Sequence, residues 1–335
     1  MNERENQYGL VYDGAIEKNA AGQVNIRPIS YELDGLRISA NVYLPAGFEK
    51  GAKGRYAGIT VAHPNGGTKE QVAGLYAQRL AELGFVTIAA DASYQGASEG
   101  EPRLRDYPAN RIEDVSGMVD FLVRMPEVDS SRIGSLGICG GGGYTLAAAQ
   151  TDKRISAVAT LSMFNSGRVR RNGFGDSQMG TIEERLERAS EARNAELQGE
   201  VRYEGFLPPH KDDDELRAIM DKQPEGLYKD GIEYYGLMYR HSRATGSYTT
   251  ESFLKLMAFD VEDRMNLVSQ PLLMVAGSKA DTLYMTKDAY AKATGTSDKE
   301  LYLIEGATHI RTYWVKEYVD EAVAKFGSFF SSCLR

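Results

Sequence analysis

Cysteine is nearly absent from this chain: of its 335 residues only Cys139 and Cys333 carry a thiol. One stands inside a glycine-rich run and the other close to the last residue. A disulfide framework of the kind that staples small secreted domains is therefore not expected. The setting this implies is reducing and cytoplasmic, which would also keep a reactive thiol usable. Positive charge is in deficit as well. With 39 Lys and Arg against 47 Asp and Glu the formal net charge is -8, whereas surfaces that neutralise nucleic-acid phosphates or anionic lipid gather an excess of Lys and Arg. The short run Arg168, Arg170 and Arg171 reads as a solvated or anion-facing loop, and neither a nucleic-acid nor a membrane partner is expected. Long apolar runs are missing too. Nothing approaches the about 18 consecutive apolar residues of a membrane span, and the polar start, Met1 to Gly9, lacks the apolar core of a secretory signal. Histidine is rare, with four in the chain, so a general base has to be sought among His63, His210, His241 and His309.

What is present is enough to build a large core, since 42% of the residues are hydrophobic and a chain of this length buries most of its apolar surface on folding. Alternating polar and apolar positions from Val24 to Leu33, then Asp34-Gly35, then Leu36 to Leu44, predict a β-hairpin with a tight turn. Buried strand and amphipathic helix then alternate: Tyr56 to His63 with Thr68 to Leu83, Val86 to Ala90 with Ile112 to Met125, and Arg132 to Ile138 with Tyr144 to Gln150. Ala157 to Ser162, Leu272 to Ala276 and Leu301 to Ile304 supply further strands, and Trp314 to Phe330 a last helix. Short Val- and Ile-rich runs alternating with helices predict a mostly parallel sheet covered on both faces. Between Met163 and Gln270 the strand signal disappears and helix signals take over, among them the capping-box pattern Thr181-Ile182-Glu183-Glu184. Pro208-Pro209 and Asp212 to Asp214 mark a break. The predicted organisation is a core of residues 1–162 and 271–335 with a helical cap insertion at 163–270. Inside the insertion Leu227, Tyr228 and the run Tyr234 to Tyr239 form an aromatic cluster that would line a pocket or simply pack an amphipathic face.

The sharpest local feature is the run Gly137-Ile138-Cys139-Gly140-Gly141, which follows a predicted strand and opens a predicted helix. In a nucleophile elbow the reacting residue sits in a strained turn, and the residues two before and two after must be small. A thiol there lies at a helix N-terminus, which favours thiolate. A dinucleotide fingerprint finds no frame through these glycines, and Tyr144 follows Gly143 where a phosphate-binding loop needs Lys. No cofactor or metal ion is expected. A buried, inert cysteine is the alternative reading. His309 follows the last predicted strand, and Asp281 follows the strand Leu272 to Ala276, so nucleophile, acid and base come in the order Cys, Asp, His above one sheet edge. A loop carboxylate capping the next helix is the alternative for Asp281. Oxyanion donors are expected from the Gly140 NH and, because Pro64 has none, from the Asn65 NH in His63-Pro64-Asn65-Gly66-Gly67. His63 is expected to brace that loop by hydrogen bonds, and His210 and His241 to be surface or packing residues.

These motifs, together with Asp91 to Gly100, Gly277 to Asp281 and Gly306 to His309, resemble the α/β-hydrolase superfamily, and within it the dienelactone-hydrolase-like and polyketide-transferase-like group. The likeness runs from about Val24 to Phe330 and is vaguer across the insertion. It implies an α/β-hydrolase fold with an eight-stranded, mostly parallel sheet and a helical cap between the sixth and seventh strands. By motif it assigns Cys139 as nucleophile, Asp281 as acid, His309 as base, and Asn65 and Gly140 as oxyanion donors. Substrate contacts are expected from Tyr94, Tyr235 and Tyr239. Most of the superfamily has serine at the elbow, and dienelactone hydrolases lack such a cap, so the substrate does not follow from the fold. The implied activity is hydrolysis of a small-molecule ester, lactone or thioester through an acyl-cysteine. An acyltransferase with the same triad, a catalytically silent binding protein, and a homodimer stay open as alternatives.

Overall fold

The computed structural model describes residues 6–208 and 210–335. The first five residues of the polar N-terminal stretch and the second proline of Pro208-Pro209 lie outside the described residues. Strands β1 (Asn25–Leu33) and β2 (Leu36–Leu44) pair antiparallel. Asp34 and Gly35 take φ values of 49° and 77° between them, the double positive φ of a two-residue hairpin turn. The chain then alternates through β3 (Tyr56–Ala62), α1 (Val72–Glu82), β4 (Val86–Ala90), α2 (Pro108–Arg124), β5 (Val128–Ile138), α3 (Gly140–Thr151) and β6 (Ala157–Leu161). It leaves the sheet for α4 (Ser166–Asn172), α5 (Ile182–Glu196), β7 (Tyr203–Gly205), α6 (Asp213–Asp221), α7 (Leu227–Gly231), β8 (Ser247–Thr249) and α8 (Phe253–Leu256). It returns as β9 (Leu272–Gly277), α9 (Leu283–Lys292), β10 (Lys299–Ile304) and α10 (Lys316–Cys333).

Among the described residues eight strands form one sheet in the order β1-β2-β4-β3-β5-β6-β9-β10. From β4 to β10 every pairing is parallel, and only β2 runs against its neighbours. The strands β4, β6 and β9 are buried along their whole length. Their short Val-, Ile-, Leu- and Ala-rich sequences suit strands covered by helices on both faces. This order puts β5 in the middle of the sheet, between β3 and β6. The residues just past the carboxyl ends of β3, β5, β6, β9 and β10 are therefore gathered along one rim.

Two expectations for the segment between β6 and β9 are corrected. It is not free of strands, because β7 and β8 pair antiparallel as a three-residue ribbon, too short to leave a periodic signal in the sequence. Thr181 makes no capping box either. A 3₁₀ turn, Met179–Thr181, precedes α5, and the Thr181 hydroxyl donates to the Gln178 carbonyl instead. After α7 the chain continues as a π-helical turn, Ile232–Met238, whose Tyr234 and Tyr235 are both buried. No helix among the described residues is long and apolar enough to cross a membrane.

Candidate active site

Cys139 is the first residue after β5 and caps α3 with φ 55°. A non-glycine residue reaches that left-handed region only where its surroundings hold it. Here the Cys139 NH donates to the Leu161 carbonyl at 3.0 Å, and its carbonyl accepts from the Phe164 and Gly142 NH groups at 2.9 Å each. The turn closes because its flanking residues have no side chain. A Cβ at Gly141 would lie 2.5 Å from the Ala62 carbonyl oxygen and 2.6 Å from that of His63, and one at Gly137 would strike the Gly141 carbonyl. The side chain is buried, and burial pushes the thiol above the ordinary cysteine range. The Tyr313 hydroxyl and the NH groups of Gly140 and Asn65 reach the sulfur and pull in the opposite direction. Burial thus works against the thiolate expected at the helix N-terminus, and desolvation outweighs the donors.

His309 is fully buried just past β10, with its ring edge-on to Phe164. Its Nδ1 lies 2.6 Å from Thr282 Oγ1 and its Nε2 lies 2.9 Å from the Tyr313 hydroxyl. Both contacts are hydroxyls, which can donate or accept, so they accommodate a tautomer in which Nδ1–H donates to Thr282 and Nε2 accepts from Tyr313. Burial lowers the ring's pKa to about 3, so it is neutral. The Tyr313 hydroxyl faces Nε2 on one side and the Cys139 sulfur on the other. Cys139 and His309 are thus joined through a phenol that sequence reasoning did not single out.

The structure does not bring Asp281 to His309. The Asp281 side chain is exposed, and its Oδ2 accepts from the Leu227 NH at 2.9 Å. It therefore caps the start of α7, a helix distant in sequence, while the next residue, Thr282, turns inward onto the imidazole. The approach is tight, since a Cβ on Gly226 would run into the Asp281 carboxylate. A second carboxylate ties α7 down from its other end, where Asp230 Oδ2 accepts from the Thr308 hydroxyl at 2.6 Å.

The NH groups of Asn65 and Gly140, the two expected oxyanion donors, both lie against the Cys139 sulfur. The Asn65 amide also donates to Ser166 Oγ at 2.8 Å. His63 Nδ1 meets the Pro64 carbonyl at 2.7 Å and Nε2 accepts from the Ala92 NH at 3.0 Å. Burial, with Arg111 adding to it, lowers its pKa to about 4. The sulfur opens onto a cavity of about 70 Å³ lined by residues that include Phe164, Arg170, Phe206, Tyr228, Tyr235 and Tyr313. Of the three tyrosines expected to touch substrate, Tyr235 lines this cavity and the other two do not. Tyr94 packs its ring on Gly100 and lies under the Arg105 guanidinium. Tyr239 donates to Asp13 at 2.7 Å and lines a separate cavity beside Trp314. Of the basic run, Arg168 pairs with Asp176, Glu262 and Asp288 and Arg171 with Asp260, on the helix α4 rather than a loop.

The sequence pattern of the X-Pro dipeptidyl-peptidase (S15) family matches residues 34–311. The chain belongs to that family. As an S15-family member with this fold it is an α/β-hydrolase enzyme. It is 38% identical over 303 residues to the Escherichia coli (strain K12) protein YcjY, covering 89% of this chain and 95% of that one. To the Pseudomonas aeruginosa protein PA2218 it is 35% identical over 292 residues, 83% of this chain and 73% of that one. The crystal structure of PA2218 matches with a TM-score of 0.81 and 30% identity over 94% and 95% of the two chains. The polyketide transferase grgF of a Penicillium species is 24% identical over 234 residues, 68% of this chain and 72% of that one. Its structure matches with a TM-score of 0.73 at 20% identity over 92% and 99% of the chains, a likeness of fold.

Proposed function

We propose that this S15-family chain is an acyl-transfer hydrolase whose nucleophile is Cys139, taking an ester, lactone or thioester through an acyl-cysteine. One observation carries the reading: at a backbone elbow held at positive φ, two NH groups from separate loops, Asn65 and Gly140, converge on a sulfur that a phenol links to a buried neutral imidazole. Donors preorganised around a reacting atom in a water-excluded site are what a developing oxyanion needs. The thiol proton passes to the Tyr313 oxygen as the phenol's own proton passes to His309 Nε2. Sγ then bonds to the carbonyl carbon, and the oxyanion rests on Asn65 and Gly140. As the intermediate collapses, the C–O or C–S bond to the leaving group breaks, and that group leaves with the proton from His309. Water, or a second alcohol or thiol, then attacks the thioester and returns the enzyme.

Thr282 takes the orienting place beside Nδ1 that the chain-order argument gave to Asp281, and Asp281 anchors α7 over the cavity. The family's name points to peptide substrates and serine chemistry, but function follows the site, and a thioester intermediate suits activated acyl groups better than amides. The name of the Penicillium relative, a transferase, agrees with transfer to an acceptor other than water. A reducing, cytoplasmic setting would keep Cys139 a thiol. Intact mass after exposure to a panel of activated esters and thioesters tests the proposal: an acyl adduct that maps to Cys139 and is lost in Cys139→Ala is expected. Undiminished turnover in that variant would refute it.

A further inference from the structure

Arg170, on α4, is among the described residues the one charged side chain lining the Cys139 cavity. Its Nε is buried with no hydrogen-bond partner, and among the described residues no carboxylate pairs with it, although Arg168 and Arg171 on the same helix are both paired. Asp106, whose charge reaches it, is already held by Arg111. The ring of Tyr248 lies 4.5 Å from the guanidinium carbon. Stacking of this kind fixes the plane of the fork while leaving its N–H donors free. A second donor in the same cavity is idle: the Tyr235 hydroxyl is buried, lines the cavity and has no partner. Buried donors without partners are destabilising unless a ligand satisfies them.

Resting on the acyl-cysteine reading above, we propose that Arg170 and Tyr235 form a carboxylate subsite, so that the acyl groups this enzyme accepts are short diacid half-esters or half-thioesters. The planar, bidentate donor edge of arginine matches a carboxylate. The cavity limits the length of the chain between the two ends. Its volume of about 70 Å³ is well below the roughly 300 Å³ or more of a drug-sized ligand pocket, so the carboxylate stands only a few bonds from the carbonyl that Cys139 attacks.

The test compares glutaryl and pentanoyl thioesters of N-acetylcysteamine, matched in length and differing in the terminal charge. For the unmodified chain kcat/KM is expected to favour the glutaryl thioester by about tenfold or more. Arg170→Met should level or reverse that preference, Arg170→Lys should keep part of it, and Tyr235→Phe should reduce it a few-fold. An unchanged preference in Arg170→Met would overturn the subsite. Cys139→Ala separates the two claims, because turnover that survives it refutes the nucleophile whatever the preference shows. Should Arg170→Met fail to fold, or neither thioester turn over, binding decides. Glutarate, and not glutaramide, should raise the melting temperature of the full chain and slow iodoacetamide labelling of Cys139. Equal effects of the two, or none, would overturn the proposal.

Discussion

Replacing Tyr313 with Phe removes a single oxygen from between thiol and base. That hydroxyl is 2.9 Å from His309 Nε2, and all three groups are buried, so bulk water has no ready path to replace it. A positioned proton-transfer group contributes about 10²- to 10⁴-fold, which at 1.36 kcal/mol per decade raises the barrier by about 3 to 5 kcal/mol. Stability should move less. The edge-on packing of the ring against Tyr234 at 5.5 Å is retained, and the stranded Nε2 costs about 1–3 kcal/mol. The assay pairs turnover of an activated thioester with the pH profile of Cys139 alkylation by iodoacetamide. Because the phenol pulls the thiol pKa down, its loss should move the alkylation profile to higher pH while turnover falls at least about a hundredfold. Faster turnover in Tyr313→Phe would mean that the phenol blocks the base rather than serving it, and would refute the relay.

Thr282→Val removes the 2.6 Å partner of Nδ1 and, by freeing the wrong tautomer, should lower kcat at least about tenfold. Asp281→Asn should act mainly through α7 and raise KM; steady-state kinetics giving the opposite split would return the orienting role to the carboxylate. Acid should destabilise the fold below neutrality. His309 and His63 are held neutral with pKa values of about 3 and about 4, so the unfolded chain takes up protons first as pH falls through about 6.5. Asp114, raised to about 6 by burial, works in the other direction. Between pH 7 and pH 5 the net loss should be about 2 kcal/mol, read from urea midpoints, and a flat profile would contradict it.

The hairpin, the alternation of strand and helix and the elbow were legible in the sequence because each has a local cause: a turn needing positive φ, runs buried on both faces, and glycines where no Cβ fits. The residue in contact with His309 Nδ1 is one position on from the expected one, Thr282 rather than Asp281. Chain order locates the loop after β9 on the correct rim, yet Asp281 and Thr282 share that loop, and only its path decides which side chain turns inward. Tyr313 left no motif, since its closeness to both Cys139 and His309 comes from the 3₁₀ turn Ile310–Tyr313. Arg170 was visible only as the middle of a basic run. What distinguishes it, that no carboxylate among the described residues pairs with it, is a fact of packing. Tyr94 and Tyr239 show the reverse, aromatic positions that looked available and prove to be spent on the scaffold.

The π-helical turn at Ile232–Met238 bears on how this family can be re-engineered. A π-turn is an α-helical turn carrying one surplus residue, so excising a residue from it would restore regular helix and rotate everything beyond by about 100°, since 3.6 residues make a turn. Tyr235 faces the reactive sulfur's cavity and Tyr239, four positions on, is moored to Asp13 on the N-terminal segment. A one-residue deletion would keep one of these orientations at the expense of the other, so homologues of different length here are expected to differ in the shape of the cavity beside the elbow cysteine while sharing the same elbow.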